Sequence, residues 1–582
     1  MDKAKERINS IAKHISSANK DEKDSAAPNV LEAAVTTTQT PAKRKLALAA
    51  EKQKRESWAD AVEELETRRK LAAVLNEEDP GIQRQRLQGK LTARERVALI
   101  LDAGSLREWG STAGKAIRDP KTGKLKEFVR ANFVAGRGKI RGKDVIVGAD
   151  DFSVRGGHAD GGIARKSLYT EQMAIELRLP LIRLLDGSSG GGSVTTYLST
   201  GRTYIPAMSS VSIMNRLLKI SPVGACILGP AVGAGAARAT LTHFVVAVAG
   251  LSQLFAAGPP VVQYATFETV TKEELGGSHI MGANGTFDNI VGSELEAFET
   301  MAKWLSYLPT NRHELPARIA PPKAIPDQSV LLNAIPKKRQ RQYDPRTAYL
   351  STIMDPNTFF EIGTHWGNDL ITGFARLDGW SVGVIAGDPR FNGGATSAAA
   401  CHKVNRFVQI CDQFNLPICN FNDCPGFAVG TKAEAAGTIR AGSRLAVTVY
   451  DSTVPWYTVI VRRLYGVAGA ILGCRGDGNV EGGGINVRCA WPSAEWGSLP
   501  LEGGIEAAYK KDLIKDPSLR ERLLEQFREV ASPFLTAEAF DIEEMVSPAD
   551  TRELMVEWVN LVYKYRLPER LAKGGSTMTY AP

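Results

Sequence analysis

The chain has 582 residues, 43% hydrophobic and 23% charged, the balance of an ordinary globular protein with room for more than one domain. No apolar run reaches membrane-spanning length, and the opening MDKAKERINSIAKHISS lacks the apolar stretch of a secretory signal. A cytoplasmic chain with no membrane partner is therefore expected, the mitochondrial matrix being the other compartment left open. The formal charge of +8 suits a polyanionic small ligand. The basic clusters at 43–45, 52–55 and 337–341 lack the motif and aromatic interleaving of a nucleic-acid binder, so no nucleic-acid partner is expected.

In chain order, residues 17–43 are rich in Ala, Ser, Thr, Asn and Lys and read as a flexible arm. From Ala47 to about Asn76, Trp58, Ala61, Leu65, Leu71 and Leu75 recur near helical spacing, which predicts a surface or interface helix. These two pieces form a first region, 1–79. The remainder divides into 80–325 and 326–582, joined by a Pro-, Lys- and Arg-rich linker over 314–346.

The two larger regions share an internal duplication. Asp102 and Glu108 in LLDAGSLREWG match Asp355 and Glu361 in IMDPNTFFEIG. Gly136 and Gly142 match Gly373 and Gly379, and LPLIRLLDG, ending near Asp186, matches LPICNFND, ending at Asp423. Pro222 and Gly233 match Pro455 and Gly466. Short β-branched runs alternate with helical patterns in each copy, which predicts the α/β class with helices covering a sheet. The seven cysteines, none in a C-x-x-C pair, read as reduced and mostly buried, and no metal site is expected.

Chemistry is expected at glycine-rich turns where an apolar strand meets a helix: Asp186-Gly-Ser-Ser-Gly-Gly-Gly-Ser193, then Gly229-Pro-Ala-Val-Gly-Ala-Gly-Ala236. Glycine permits close approach of a ligand, and helix starts leave amide N–H groups unpaired. Such amides hold an oxyanion or a phosphate, or the small residues serve close helix–strand packing alone. The sequence offers no G-x-S-x-G elbow, no H-E-x-x-H pair and no triad.

GKLTARERVALILDAGS at 89–105, VTKEELGGSHI at 270–280, CDQFNLPICNFNDCPGFAVGTKAEAAGTIRAGSRL at 411–445, TVPWYTVIVRRLYGVAGAIL at 453–472 and AWPSAEW at 490–496 resemble the carboxyltransferase, or β, subunits of the propionyl-CoA and methylcrotonyl-CoA carboxylase family. The resemblance runs from about residue 80 to the end. It implies two tandem crotonase-like (ClpP/crotonase) β/α-spiral domains behind a helical N-terminal extension, the first binding acyl-CoA and the second biotin. It implies transfer of a carboxyl group from carboxybiotin on a partner to an acyl-CoA. The partners implied are a biotin carboxylase and a biotin carboxyl carrier subunit, with this chain a homohexamer whose sites form between the first domain of one copy and the second domain of another. The same motifs suit a decarboxylase subunit of the glutaconyl-CoA type, or a catalytically silent scaffold of the same fold.

By motif match, the amides of Gly190 and Gly191 would hold the acyl-CoA enolate oxygen, and those of Val467 and Ala468 the biotin ureido oxygen. Gly156, Gly157, Gly192, Gly233, Ala234, Gly426, Phe427 and Gly466 are the accompanying cofactor-contacting positions. Two departures stand out: the first turn is longer than the family's Asp-Ser-Gly-Gly, and the second turn, Tyr465-Gly466-Val467-Ala468-Gly469-Ala470, has a β-branched Val467 at an oxyanion position and Ala470 near where the propionyl-type branch carries an Asp. His158 suits a coenzyme entrance or a turn, and His243 a satisfied core position. Lys432 and Glu434 suit a biotin channel or a helix start, and Lys90, Arg94 and Arg96 suit coenzyme phosphates or a solvated helix.

Overall fold

A computed structural model of the chain describes residues 57–157, 164–187, 193–203, 205, 210–338, 341–473 and 486–582, with positions 42, 45, 46 and 49 before them. Two compact units are distinguished, 1–67 and 68–582. The described part of the first unit is the start of helix Ala59–Ala73; Trp58, expected on its apolar seam, is 84% exposed. Most of the arm expected over 17–43 lies outside the described residues.

The second unit holds two sheets. The first is formed by β1 (Arg107–Trp109), β4 (Phe133–Ile140), β5 (Lys143–Asp150), β6 (Leu181–Gly187), β7 (Val223–Val232), β8 (Phe244–Val248) and β10 (Asn289–Val291) in that order, with β9 (Gln253–Phe255) on β7. A separate hairpin, β2 (Gly114–Arg118) with β3 (Leu125–Arg130), precedes β4. The second sheet repeats the order: β11 (Phe360–Ile362), β12 (Leu370–Leu377), β13 (Trp380–Gly387), β14 (Ile418–Cys424), β15 (Trp456–Tyr465), β16 (Val487–Ala490) and β18 (Glu544–Met545), with β17 (Glu495–Gly497) on β15. β5 to β6 to β7 to β8, and β13 to β14 to β15 to β16, are parallel. Parallel strands covered on both faces are buried along their whole length, as β14 is even where it carries Asn and Asp.

The duplication extends to side chains. Asp102 accepts the amides of Arg141 and Gly142, each at 2.8 Å, in the β4–β5 turn. Asp355 accepts those of Asp378 at 3.0 Å and Gly379 at 2.8 Å in the β12–β13 turn. Both pairs have positive φ, 49° and 81° in one turn and 52° and 79° in the other. A two-residue hairpin turn matched to strand twist requires that conformation, and the carboxylate clamps it. Glu108 is likewise held by Arg94 at 3.0 Å, and Glu361 by Arg346 at 2.6 Å.

One core runs through both halves of the second unit. Phe244 stacks on Trp304 at 5.3 Å and meets Phe360 of the second half at 5.9 Å, while Tyr307 lies 5.8 Å from Phe374. Gln413 donates to the Leu218 carbonyl across the junction, and Tyr580 donates to the Thr242 carbonyl at 2.9 Å. Among the described residues, no helix is long and apolar enough to cross a membrane.

Candidate active site

The last residue but one of β6 is Asp186, a carboxylate with no exposure to solvent. A buried strand cannot carry an unpaired charge, so cations must reach it. Lys90 Nζ lies 2.6 Å from Oδ1 and Arg96 Nη1 2.8 Å from Oδ2. Arg96 also binds Glu294, its Nε 2.8 Å from Oε2, and donates to the Leu228 carbonyl at 3.0 Å. Two cations and two anions thus form one buried network. Burial pushes the Lys90 ammonium below the usual lysine range, with Asp186 opposing the shift.

Lys90 and Arg96 are therefore anchors of the β6 turn, and Arg94 is held by Glu108; none of the three is left for coenzyme phosphates or a solvated helix face.

The turn that this network fixes opens onto a cavity. Gly187 has φ 90°, pairs with Ala231 of β7, and would place a Cβ 2.6 Å from the Gly156 carbonyl, so only glycine fits. Gly156, Gly187 and Gly233 line one cavity of about 620 Å³ whose walls include Phe152, Val232, Phe255 and Ala256. Arg84 and Lys272 add positive charge to its lining; Lys272 stands in the 270–280 motif without a role assigned to it there, and Arg84 lies in none of the quoted motifs.

Gly233, with φ 57°, caps the helix Ala234–Thr240 directly after β7. Ala234 is exposed beside it, while Gly157 is buried behind Gly156; neither lines the cavity. Gly190, Gly191, Gly192 and His158 lie outside the described residues.

The second half repeats the arrangement with different chemistry. Asp423 in β14 is held by Arg463 Nε at 2.6 Å, Arg462 Nε at 3.0 Å and the Tyr343 hydroxyl at 2.8 Å. Gly426, with φ 124°, would place a Cβ 3.8 Å from the Tyr465 carbonyl, so the turn after β14 adjoins the end of β15. The Gly426 carbonyl accepts from the Thr396 amide at 2.9 Å. Phe427 is seated on the backbone of Gly442, where a Cβ would come within 2.3 Å of its ring. Gly466, with φ 62°, begins the helix Gly466–Leu472 directly after β15, the position Gly233 holds after β7.

The first amides of this helix have no intrahelical acceptor. Val467 is 67% exposed, so its branched side chain leans to the surface, while Ala468 is 1% exposed and anchors the turn. The described residues that line the 620 Å³ cavity all belong to the first half, and Gly466 is not among them.

His243 is a core residue. Its Nδ1 accepts the Val223 amide at 3.0 Å and Nε2 faces the Leu218 carbonyl at 3.1 Å, and burial lowers its pKa to about 3. Lys432 and Glu434 are exposed on helix Thr431–Ala435, with no ion pair between them among the described residues. The described cysteines, Cys226, Cys401, Cys411, Cys419, Cys424 and Cys489, are buried and free.

Residues 84–573 match the family model of the carboxyl transferase domain. The chain is 31% identical over 527 residues to the propionyl-CoA carboxylase carboxyltransferase subunit of Haloferax mediterranei, covering 89% of this chain and 99% of that protein. It is 33% identical over 502 residues to the mitochondrial propionyl-CoA carboxylase beta chain of Sus scrofa, covering 84% of this chain and 88% of that one. Among solved structures, the transcarboxylase 12S hexamer with methylmalonyl-coenzyme A and methylmalonic acid bound superposes with a TM-score of 0.76 at 28% identity, over 87% of this chain and 96% of that one. The α/β architecture of two tandem crotonase-like halves is thus shared, and the chain belongs to the carboxyl transferase family.

Proposed function

We propose that this chain is the carboxyltransferase subunit of a biotin-dependent acyl-CoA carboxylase, and that its own contribution is made by main-chain amides. Residues 80–325 would bind the acyl-CoA and 326–582 the biotin ring, with 1–79 an extension. The apolar cavity beside Gly156, Gly187 and Gly233 suits the acyl and pantetheine part of the substrate, and Arg84 and Lys272 suit its phosphates.

The amides of Gly190 and Gly191, four and five residues after Asp186 in the sequence, would hold the thioester oxygen as it gains charge on enolisation. Oxyanion donors of this kind contribute on the order of 3 kcal/mol each to lowering the barrier. Gly192, Gly157 and Ala234 would shape the backbone around that substrate.

The start of helix Gly466–Leu472 fits a neutral ureido oxygen: its amides are open, and the Gly466 turn brings no side chain of its own. Val467 and Ala468 would donate to that oxygen, with Gly426 and Phe427 forming the adjoining wall. When bound, carboxybiotin supplies the carboxyl group and a ureido nitrogen that can accept the proton leaving the acyl carbon. This chain then needs no side-chain base, consistent with the absence of a triad.

The carrying observation is that each half presents one turn and lacks the other: the cavity is built from first-half residues alone, while Val467 stands on the surface of the second half. A second copy, arranged as in the hexameric transcarboxylase 12S, would bring the two together. A biotin carboxylase and a biotin carboxyl carrier would be its partners. Free, buried thiols fit a reducing compartment, the cytoplasm in this reading.

The test is ATP-dependent fixation of labelled bicarbonate into a panel of acyl-CoA thioesters, after capture of the biotinylated partner with this chain. Fixation into at least one thioester is expected. Loss of CO2 from an acyl-CoA diacid without any fixation would instead identify a decarboxylase, and binding without either reaction a silent scaffold.

A further inference from the structure

We infer that the junction of the two halves contains a binding site for a small, multiply charged oxyanion, lined by His402, Arg406 and Arg444. Its lining shares no residue with the Gly187 cavity and includes neither Gly187 nor Gly466, and it does not rest on the proposed reaction.

The helix Ala398–Gln413 places His402, Asn405 and Arg406 at i, i+3 and i+4, on one face. The helix Thr438–Asp451 lies beside it and brings Arg444; the Thr448 hydroxyl donates to Asn405 Oδ1 and fixes the two helices together. The opposite wall is first-half backbone and side chain, the turn containing Asn284 and Thr286. Between them is a cavity of about 360 Å³. At about 30 Å³ per water it has room for roughly a dozen waters, the size of a diphosphate or a tricarboxylate.

Three features select an anion. No Asp or Glu is among the residues that line the cavity. Arg406 is held at its Nη end, where it donates to the Gly285 carbonyl at 3.3 Å, lies 3.4 Å from Asp288 Oδ1 and meets the Tyr580 hydroxyl, but its buried Nε has no acceptor. A buried guanidinium donor left without an acceptor is uncommon, and a planar, forked donor set matches carboxylate and phosphate oxygens. Arg444 is exposed and has no hydrogen bond or ion pair among the described residues, so its charge is uncommitted.

An oxyanion here would accept from Arg444 and Arg406 on the second half and from the Asn284 and Thr286 side chains on the first. It would tie together halves that Arg406 already joins through Gly285 and Asp288. A ligand bound to the folded state alone raises its stability as its concentration passes Kd.

The experiment is thermal unfolding and isothermal titration of the full chain with inorganic pyrophosphate in one arm and citrate in the other. A saturable rise in Tm with at least one probe is expected, and the stronger arm identifies a phosphate or a carboxylate ligand. The variant His402→Ala/Arg444→Ala, altered only at exposed positions, should weaken that Kd by tenfold or more while keeping its unliganded Tm and its carboxyl-transfer rate. A rise matched by sodium chloride at equal ionic strength, or undiminished in the variant, would overturn the site. Binding seen only after removal of Ala581 and Pro582, which also line the cavity, would overturn an external ligand in favour of the chain's own terminal segment.

Discussion

Lys90 Nζ lies 2.6 Å from Asp186 Oδ1, and neither side chain has any exposure to solvent. The pair joins the segment before the first sheet to β6, one residue before the glycine that lines the first-half cavity. Replacing Lys90 with Met leaves a buried carboxylate with half its compensation, and breaking such a pair costs roughly 3–5 kcal/mol. The urea midpoint of Lys90→Met should fall accordingly at fixed protein concentration. Arg86→Ala removes ion pairs to Glu77 and Glu95 at a partly exposed site and should change stability by about 1 kcal/mol or less. Equal losses in the two variants would show that the Asp186 network is not an anchor.

Gly466 holds a left-handed conformation at the mouth of its helix, with φ 62°. Gly466→Ala should cost about 1–2 kcal/mol in stability through backbone strain. It should also tilt the Val467 and Ala468 amides, reducing kcat by about tenfold or more, since about 1.4 kcal/mol of lost transition-state stabilisation is a factor of ten. Binding of acyl-CoA, measured by titration, should be unchanged, since the cavity proposed for it is lined by first-half residues. A kcat at the parental value in a folded Gly466→Ala protein would remove this turn from the chemistry.

Ala256 lines the first-half cavity between Phe255 and Ala257. Ala256→Phe should fill part of it and raise KM for longer acyl chains more than for short ones. The spread across a chain-length panel is the readout. A uniform change in KM for all chain lengths would place the acyl group elsewhere.

His243 supplies a pH dependence whose sign follows from its environment. Burial lowers its folded pKa to about 3 from 6.5, so between those values the unfolded chain binds a proton that the folded chain refuses. Its stabilising contribution is complete above pH 6.5 and declines as pH falls toward 3, by about 1.4 kcal/mol per pH unit within the window. Carboxylates titrate over part of the same range, so the measure is the difference in slope between parent and His243→Asn. A parallel pH profile in the variant would mean that folding leaves the His243 pKa unshifted.

The halves, their order and their turns were legible before any coordinates, because they are encoded locally. Asp102 and Asp355 announce themselves by spacing, since a carboxylate that clamps a tight hairpin must sit a set distance before it, and the turns it clamps need Gly142 and Gly379. Gly233 and Gly466 follow equivalent strands for the same kind of reason: a strand that turns at once into a helix needs a residue free to take positive φ. The motif marks Phe427 as a ligand contact, and the neighbour that seats its ring, Gly442, is one that no local pattern reveals.

What the sequence determined by itself was the α/β class, the duplication and the glycine turns, each written in short-range periodicity and backbone freedom. Only the tertiary structure decided what the cations do. Lys90 and Arg96 look like phosphate ligands in a basic string, and become the buried counterions of Asp186 because folding brings residues about ninety positions apart into a space with no water to solvate either charge.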